Sequence, residues 1–391
     1  MSAPGTLGVA ADAPTGSPGW WREASGAVAD LGVLVPVAVA LVVVNGLSPT
    51  AVLLPAGLAY LLVAAVYRLP VAVQPLKAFG AVAIAVGAGA DVVAAGALLM
   101  GVTFVVLGLT GWLDRIARAF PHAVVRGVQL AVALTFARIA WGLVATPAAA
   151  FVRQPPVWVV AALAVAGMGL LLWRAHLALV VVAIGVAAAV ALAGPDVGAA
   201  LGPTGLAAPD LDAVAFATAF TLLVVPQLPL TFANSCLAPA DAARAYFGER
   251  GARVTPSRLA LTLGGTNLLV GAVGGMPVCH GAGGMSAHRA AGARTWRAPA
   301  LIGTCLVVLA VVAGRGLSDV LVAFPLPVLA ALLVVAGVAH ARLLADVRDR
   351  ASWAVVVLVA GTGFVWNLAV GLVAGLVLHL LLGTFSRKVS R

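Results

Sequence analysis

Three short stretches carry the polar chemistry of this chain. The first, PVAVQPLKAFGAVAIA from Pro70 to Ala85, sets Gln74, Pro75 and Lys77 among apolar residues. The second, PQLPLTFANS from Pro226 to Ser235, supplies Gln227, Thr231, Asn234 and Ser235. The third supplies His280 and the run Gly281, Ala282, Gly283 and Gly284. In the first and third, an extended piece (Val71 to Gln74; Val278 to His280) stops at a helix-starting element, Pro75 as the first helical position and Gly281 as a flexible one. A helix that begins inside an apolar environment leaves N–H groups without partners and carries about half a unit of positive charge, which together hold an anion. Lys77, Gln74 and His280 add donors, so the chemistry is capture of a small multivalent oxyanion. Pro226 and Pro229 loosen the second stretch, where Gln227, Thr231, Asn234 and Ser235 offer uncharged hydrogen bonds.

Each group has a plainer reading. Lys77 snorkels to the membrane surface, Gln74 merely caps a helix, and His280 is a satisfied core histidine. The glycines permit close helix packing, and Thr231, Asn234 and Ser235 bond neighbouring helices. Charge favours the anion reading: all thirteen acidic residues fall in tails, loops or span ends, so no carboxylate opposes a dianion. Arg138 reads as an interface anchor, and His122, His176 and His340 group with loop charges and receive no role.

The elements that must position these residues are membrane helices. The 391-residue chain is 63% hydrophobic and 9% charged, with mean hydropathy +1.12; soluble domains are roughly 45–50% apolar and 25% charged. The net charge of +10 resides in short loops, where it reports membrane orientation; there is no nucleic-acid signal. Cys236, Cys279 and Cys305 lack CxxC spacing, so neither a disulfide framework nor a metal site is indicated, and no cofactor is implied. GxSxG, HExxH and P-loop motifs are missing, which removes support for an enzyme.

Apolar runs cut at charged, Pro or Gly punctuation fall at 31–47, 51–67, a short 75–87, 92–112, 122–143, 156–173 and 177–194, then at 213–237, 257–274, a short 281–291, 298–314, 322–340, 352–367 and 369–385. This predicts an all-α membrane protein of fourteen segments, with residues 1–26 a tail, 27–194 one repeat, 195–212 an external link, 213–385 a second repeat and 386–391 a tail. Seven per half reverses the polarity of the second, the inverted-repeat condition of many transporters. With the N-terminus inside, nineteen of the 23 basic residues fall in cytoplasmic segments and only Arg153 and Arg315 outside, with Lys77 and Arg138 within spans. Pro36 and Pro49 bracket the first span at the same separation as Pro226 and Pro239 bracket the eighth, and Asn45 and Asn234 fall near matching places.

The strings PVAVQPLKAFGAVAI, PQLPLTFANS and TLGGTNLLVGAVGGMPVCHGAGGMSAHRAAGAR resemble three motif regions of the molybdate-transporter branch of the sulfate permease (SulP) superfamily. The resemblance extends from about residue 27 to 385. It implies a seven-plus-seven fold shared with uracil permeases, with a core domain (spans 1–4 and 8–11) and a gate domain (spans 5–7 and 12–14). The anion is then held between the third and tenth half-helices and moved by an elevator-like displacement. By matching position, Gln74, Pro75 and Lys77 belong to the third-span motif, Gln227 to Ser235 to the eighth, and His280 to Gly284 to the tenth. No STAS domain is expected, since the chain stops at Arg391, and gate-domain homodimers are a family expectation.

The expected function is import of molybdate by a secondary transporter in a prokaryotic inner membrane, both termini cytoplasmic, with tungstate as a competitor. Sulfate, of the same charge and shape, is the close rival. Nucleobase and ascorbate permeases of similar architecture use acidic side chains on the eighth and tenth spans, where Gln227 and the Gly-rich run stand here. Coupling stays open between protons through His280, sodium through carbonyls freed near Pro226 and Pro229, and none.

Overall fold

In lipid a backbone can satisfy its polar groups only within itself, so long runs of Ala, Val and Leu fold as helices. The computed structural model describes residues 19–28, 31–113, 121–152, 154–173, 178–193 and 201–389. The first eighteen residues of the expected tail, the loop residues Arg115, Arg118, Arg153, Arg174 and His176, and Asp196 of the expected link lie outside the described residues.

Six helical stretches are long and apolar enough to cross a bilayer, among them Pro49–Tyr67, Ala90–Thr110 and His122–Ala145. A seventh is added if Arg297–Val312 and Gly314–Val322, bent by 95° at their junction, count as one. Fourteen crossings would also need shorter apolar helices such as Lys77–Val86, Val157–Trp173 and Arg350–Val365. The chain is thus an integral membrane protein made almost wholly of helices.

Two described helices lie where the sequence reads as tail or loop. Trp20–Val28 occupies part of the expected tail: Glu23 and Ala27 turn inward, Trp20 and Trp21 outward, and Glu23 Oε1 accepts a 3.1 Å bond from Arg294 N. Its polar inward residue hides it from a hydropathy scan. Gly314–Val322 forms because the chain turns sharply at Ala313 without losing its apolar face.

The helices pack pairwise. Ala90–Thr110 lies against Pro256–Ala272, Pro49–Tyr67 against Arg297–Val312, and His122–Ala145 against Leu326–Arg342 and Arg350–Val365. Glycine lets the first two pairs approach closely: a β-carbon on Gly264 would stand 2.9 Å from Gly101 O, and one on Gly303 2.8 Å from Gly57 O.

Ala213–Arg253 is one continuous but irregular helix. Pro226 and Pro229 lack N–H groups, and π-helical turns at Phe220–Val224 and Thr231–Leu237 flank the segment that contains them. Deep in the molecule the strand Gln74–Pro75 (β1) pairs antiparallel with Val278–Cys279 (β2), in the register Gln74 to Cys279 and Pro75 to Val278.

Candidate functional site

The two broken segments meet backbone to backbone. Beyond the β1–β2 register, Leu76 N donates to Pro277 O at 3.0 Å. From this crossing two short helices depart, Lys77–Val86 and Ala282–Ala290, with Leu76 and Gly281 as N-caps that supply no side-chain cap. Pro75 is therefore a strand residue and not the first helical position expected of it. Its carbonyl instead lies 3.7 Å from Cys279 Sγ.

Four polar side chains fix these half-helices. Gln227 Oε1 accepts from Phe79 N at 3.0 Å, and its Nε2 donates to Thr231 Oγ1 at 2.9 Å. At the other end of the same half-helix, Asn45 Nδ2 donates to Ala83 O and Ala88 O, both at 2.9 Å. Asn267 clasps β2, its Nδ2 donating to Val278 O at 2.8 Å and its Oδ1 accepting from Val278 N at 2.9 Å. His280 Nδ1 donates to Ala72 O at 3.2 Å, so in the neutral ring Nε2 accepts from Thr262 Oγ1 at 2.9 Å.

A cavity of about 500 Å³ opens at the half-helix N-termini. Gln74, Lys77, Asn234, Gly281, Ala282 and Gly283 line it, six of the residues singled out from sequence. Pro75, Gln227, Thr231, Ser235 and His280 are buried outside its lining. Lys77 Nζ donates to Gln74 Oε1 at 2.7 Å. Gly284 N and Met285 N both bond back to Gly281 O, at 3.1 and 3.3 Å. The amides of Ala282 and Gly283, in the first turn and on the wall, are thereby the open donors of that helix.

The opposite wall comes from Leu326–Arg342 and His122–Ala145, and sequence reasoning missed both of its ionisable members. His340, grouped with loop charges, lines the cavity and is 7% exposed. Its Nδ1 is buried without a hydrogen-bond partner among the described residues, and it lies within electrostatic reach of Lys77. Arg126, counted with a loop, also lines the cavity; it is doubly bonded to Asp346, through Nε to Oδ1 at 2.9 Å and through Nη2 to Oδ2, and Nη1 donates to Gln129 Oε1 at 2.8 Å. Helical spacing could have found His340, since Ala336 and Ala339 of the same apolar helix share the wall. Among the described residues that line the cavity there is no carboxylate.

The site can hold a compact anion through backbone amides, one ammonium and uncharged amides, with no acid to repel it.

Known proteins place the chain. Residues 22–136 and 219–339, together more than half its length, match the family described as a molybdate transporter of the MFS superfamily. It is 29% identical to molybdate transporter 1 of Arabidopsis thaliana over 92% of this chain and 88% of that one, and 28% identical to molybdate transporter 2 of the same plant over 92% and 87%. Its fold resembles the transmembrane domain of the cyanobacterial bicarbonate transporter BicA, with TM-score 0.64 at 18% identity over 90% of this chain and 96% of that one. It also resembles SLC26A9, with TM-score 0.66 at 15% identity over 93% and 65%. At these identities the likeness is one of fold alone: the chain is built like the transmembrane domain of BicA and like SLC26A9. The half-helix crossing, the carboxylate-free cavity and the match across both halves lead to one conclusion: the chain belongs to the molybdate-transporter family.

Proposed function

We propose that this protein is a secondary transporter that imports molybdate, held as a tetrahedral dianion between the N-termini of Lys77–Val86 and Ala282–Ala290. The observation that carries the reading is the convergence of both half-helix starts and Lys77 on one cavity without a carboxylate. Two helix ends contribute about half a positive charge each. With Lys77, they offset a charge of minus two.

Gln74, Lys77, Asn234, Ala282 and Gly283 are the groups assigned to the anion. Gln227, Thr231 and His280 position the half-helices instead, and the pH-responsive role passes from His280, whose two ring nitrogens are engaged, to His340. A nucleobase permease would need an acid facing the cavity, and Gln227 is occupied by Phe79 N and Thr231.

The seven-plus-seven inverted repeat draws support from the packing. Segments four and nine pair as segments eleven and two do, and β1 pairs with β2, which is the pattern a two-fold relation generates. The core and gate division, an elevator-like displacement and cytoplasmic termini complete the proposal.

The test is uptake of labelled molybdate into proteoliposomes, with competing anions and with or without a pH gradient. Tungstate should compete at comparable concentration and sulfate more weakly. Molybdate uptake indifferent to tungstate but erased by equimolar sulfate would transfer the assignment to sulfate, and binding of uracil or xanthine would end it.

A further inference from the structure

A second cavity, of about 300 Å³, lies where the C-terminal end of Pro49–Tyr67 meets the N-terminal end of Arg297–Val312. Arg68, Arg250, Arg253 and Arg297 line it, together with Tyr67 and Trp296. Both ion pairs among the described residues involve Asp346, so no carboxylate among the described residues pairs with any of these four guanidinium groups. Arg250 Nη2 donates to the carbonyl of Arg294 at 3.1 Å.

The placement concentrates like charge. Arg297 opens a helix whose N-cap, Trp296, provides no side-chain acceptor, so a guanidinium sits at the positive end of the helix dipole. Arg68 is the one non-glycine residue with positive φ among the described residues, at 54°, in a C-cap position where glycine is the usual occupant. A left-handed arginine and three more arginines, all four exposed, gather like charge around one hollow, and a bound anion would relieve their repulsion. Guanidinium groups are forked donors that match phosphate oxygens two at a time. Trp296 is 48% exposed at the rim, as interfacial indoles are.

We propose that this cavity binds a phosphate group. The chemistry is a phosphate monoester or diester, which an anionic lipid headgroup or a free phosphate can supply; basic pockets between membrane helices commonly take the former. The site is separate from the Lys77 cavity, with which it shares no lining residue.

The test is thermal unfolding of the purified full chain in neutral detergent, with molybdate saturating. Phosphatidylglycerol, phosphatidylcholine and sodium phosphate are added separately, the last against ionic-strength-matched chloride. Phosphatidylglycerol should raise the midpoint by roughly 3 °C or more over phosphatidylcholine. The triple variant Arg250→Gln, Arg253→Gln, Arg297→Gln should lose that rise. A rise with sodium phosphate, also lost in the variant, supports the site and identifies the source as a free phosphate. No rise with either probe, or an equal rise in the variant, overturns it. If the triple variant does not purify folded, Arg253→Gln alone should weaken phosphatidylglycerol binding about threefold or more by native mass spectrometry, and unchanged binding rejects the proposal. Failure of molybdate itself to shift the midpoint speaks against the transport reading and leaves this one standing.

Discussion

Gly281 of one half-helix lies directly against Gln74 of the other: a β-carbon on Gly281 would come within 2.5 Å of Gln74 Oε1 and 3.2 Å of Lys77 Nζ. The backbone there, φ −69° and ψ 129°, is open to alanine, so the constraint is contact and not conformation. Gly281→Ala should push Gln74 and Lys77 off their 2.7 Å geometry and weaken molybdate binding about tenfold, the scale of a modest overpacking cost. Gly283→Ala, whose β-carbon meets nothing within 4 Å, should cost less. Equal affinities for the two variants, measured by isothermal titration, would contradict the arrangement.

Lys77 is the cation closest to both helix starts. A hydrogen bond to a charged group contributes about 1.5–3 kcal/mol, so Lys77→Gln should weaken molybdate binding roughly 10- to 150-fold. The protein should fold normally, since Lys77 is only half-buried and its recorded bond goes to Gln74. Unchanged affinity in equilibrium binding would return Lys77 to the surface role its position also allows.

Asn267 and Asn234 separate scaffold from site. Asn267→Ala strips Val278 of both its side-chain bonds and leaves buried backbone groups unpaired. Each such group costs about 1–3 kcal/mol, so the unfolding midpoint should fall by several degrees. Asn234→Ala changes a cavity-lining residue and should lower affinity with little loss of stability. Thermal unfolding with and without molybdate reads both.

His340 and His280 make opposite predictions for pH. His280 has both ring nitrogens engaged, whereas His340 faces the cavity with a partnerless Nδ1. The charges around His340 are Lys77 on the half-helix, Arg126 and His122 on the adjoining helix, Asp346 paired to both, and Arg342 on its own. A bound dianion favours a proton on His340, and by reciprocity that proton favours the dianion, so molybdate affinity should rise as pH falls. His340→Gln should flatten that dependence, while His280→Gln should keep it and lower stability. Affinity measured across pH 5 to 8 decides, and a dependence surviving in His340→Gln would refute the assignment.

The site was legible where chemistry conflicts with its surroundings. A lysine and a glutamine inside an apolar run, and a histidine before glycines, mark the broken helices because lipid offers such groups no partner. What those residues bond to was less legible. Gln227 and His280 look the same in sequence whether they face an anion or another helix, and here they face Phe79 N and Ala72 O. Arg126 and His340 escaped because loop-counting assigns a residue near a helix end to water, while a long side chain reaches back into a cavity. The pairing of β1 with β2 joins Gln74 to Cys279 and Pro75 to Val278, residues far apart in sequence, and no local pattern carries it.

That four-residue sheet acts as a weld. Pulling one half-helix from the other would break the strand pairing, the Leu76–Pro277 bond and the His280–Ala72 bond together, in a region where water cannot replace them. The two half-helix starts at the cavity are therefore tied into a single stiff part. Under the proposed transport reading, turning the cavity from one side of the membrane to the other would slide that part whole against the Arg126 and His340 wall, and the anion would ride in one seat instead of being handed between two.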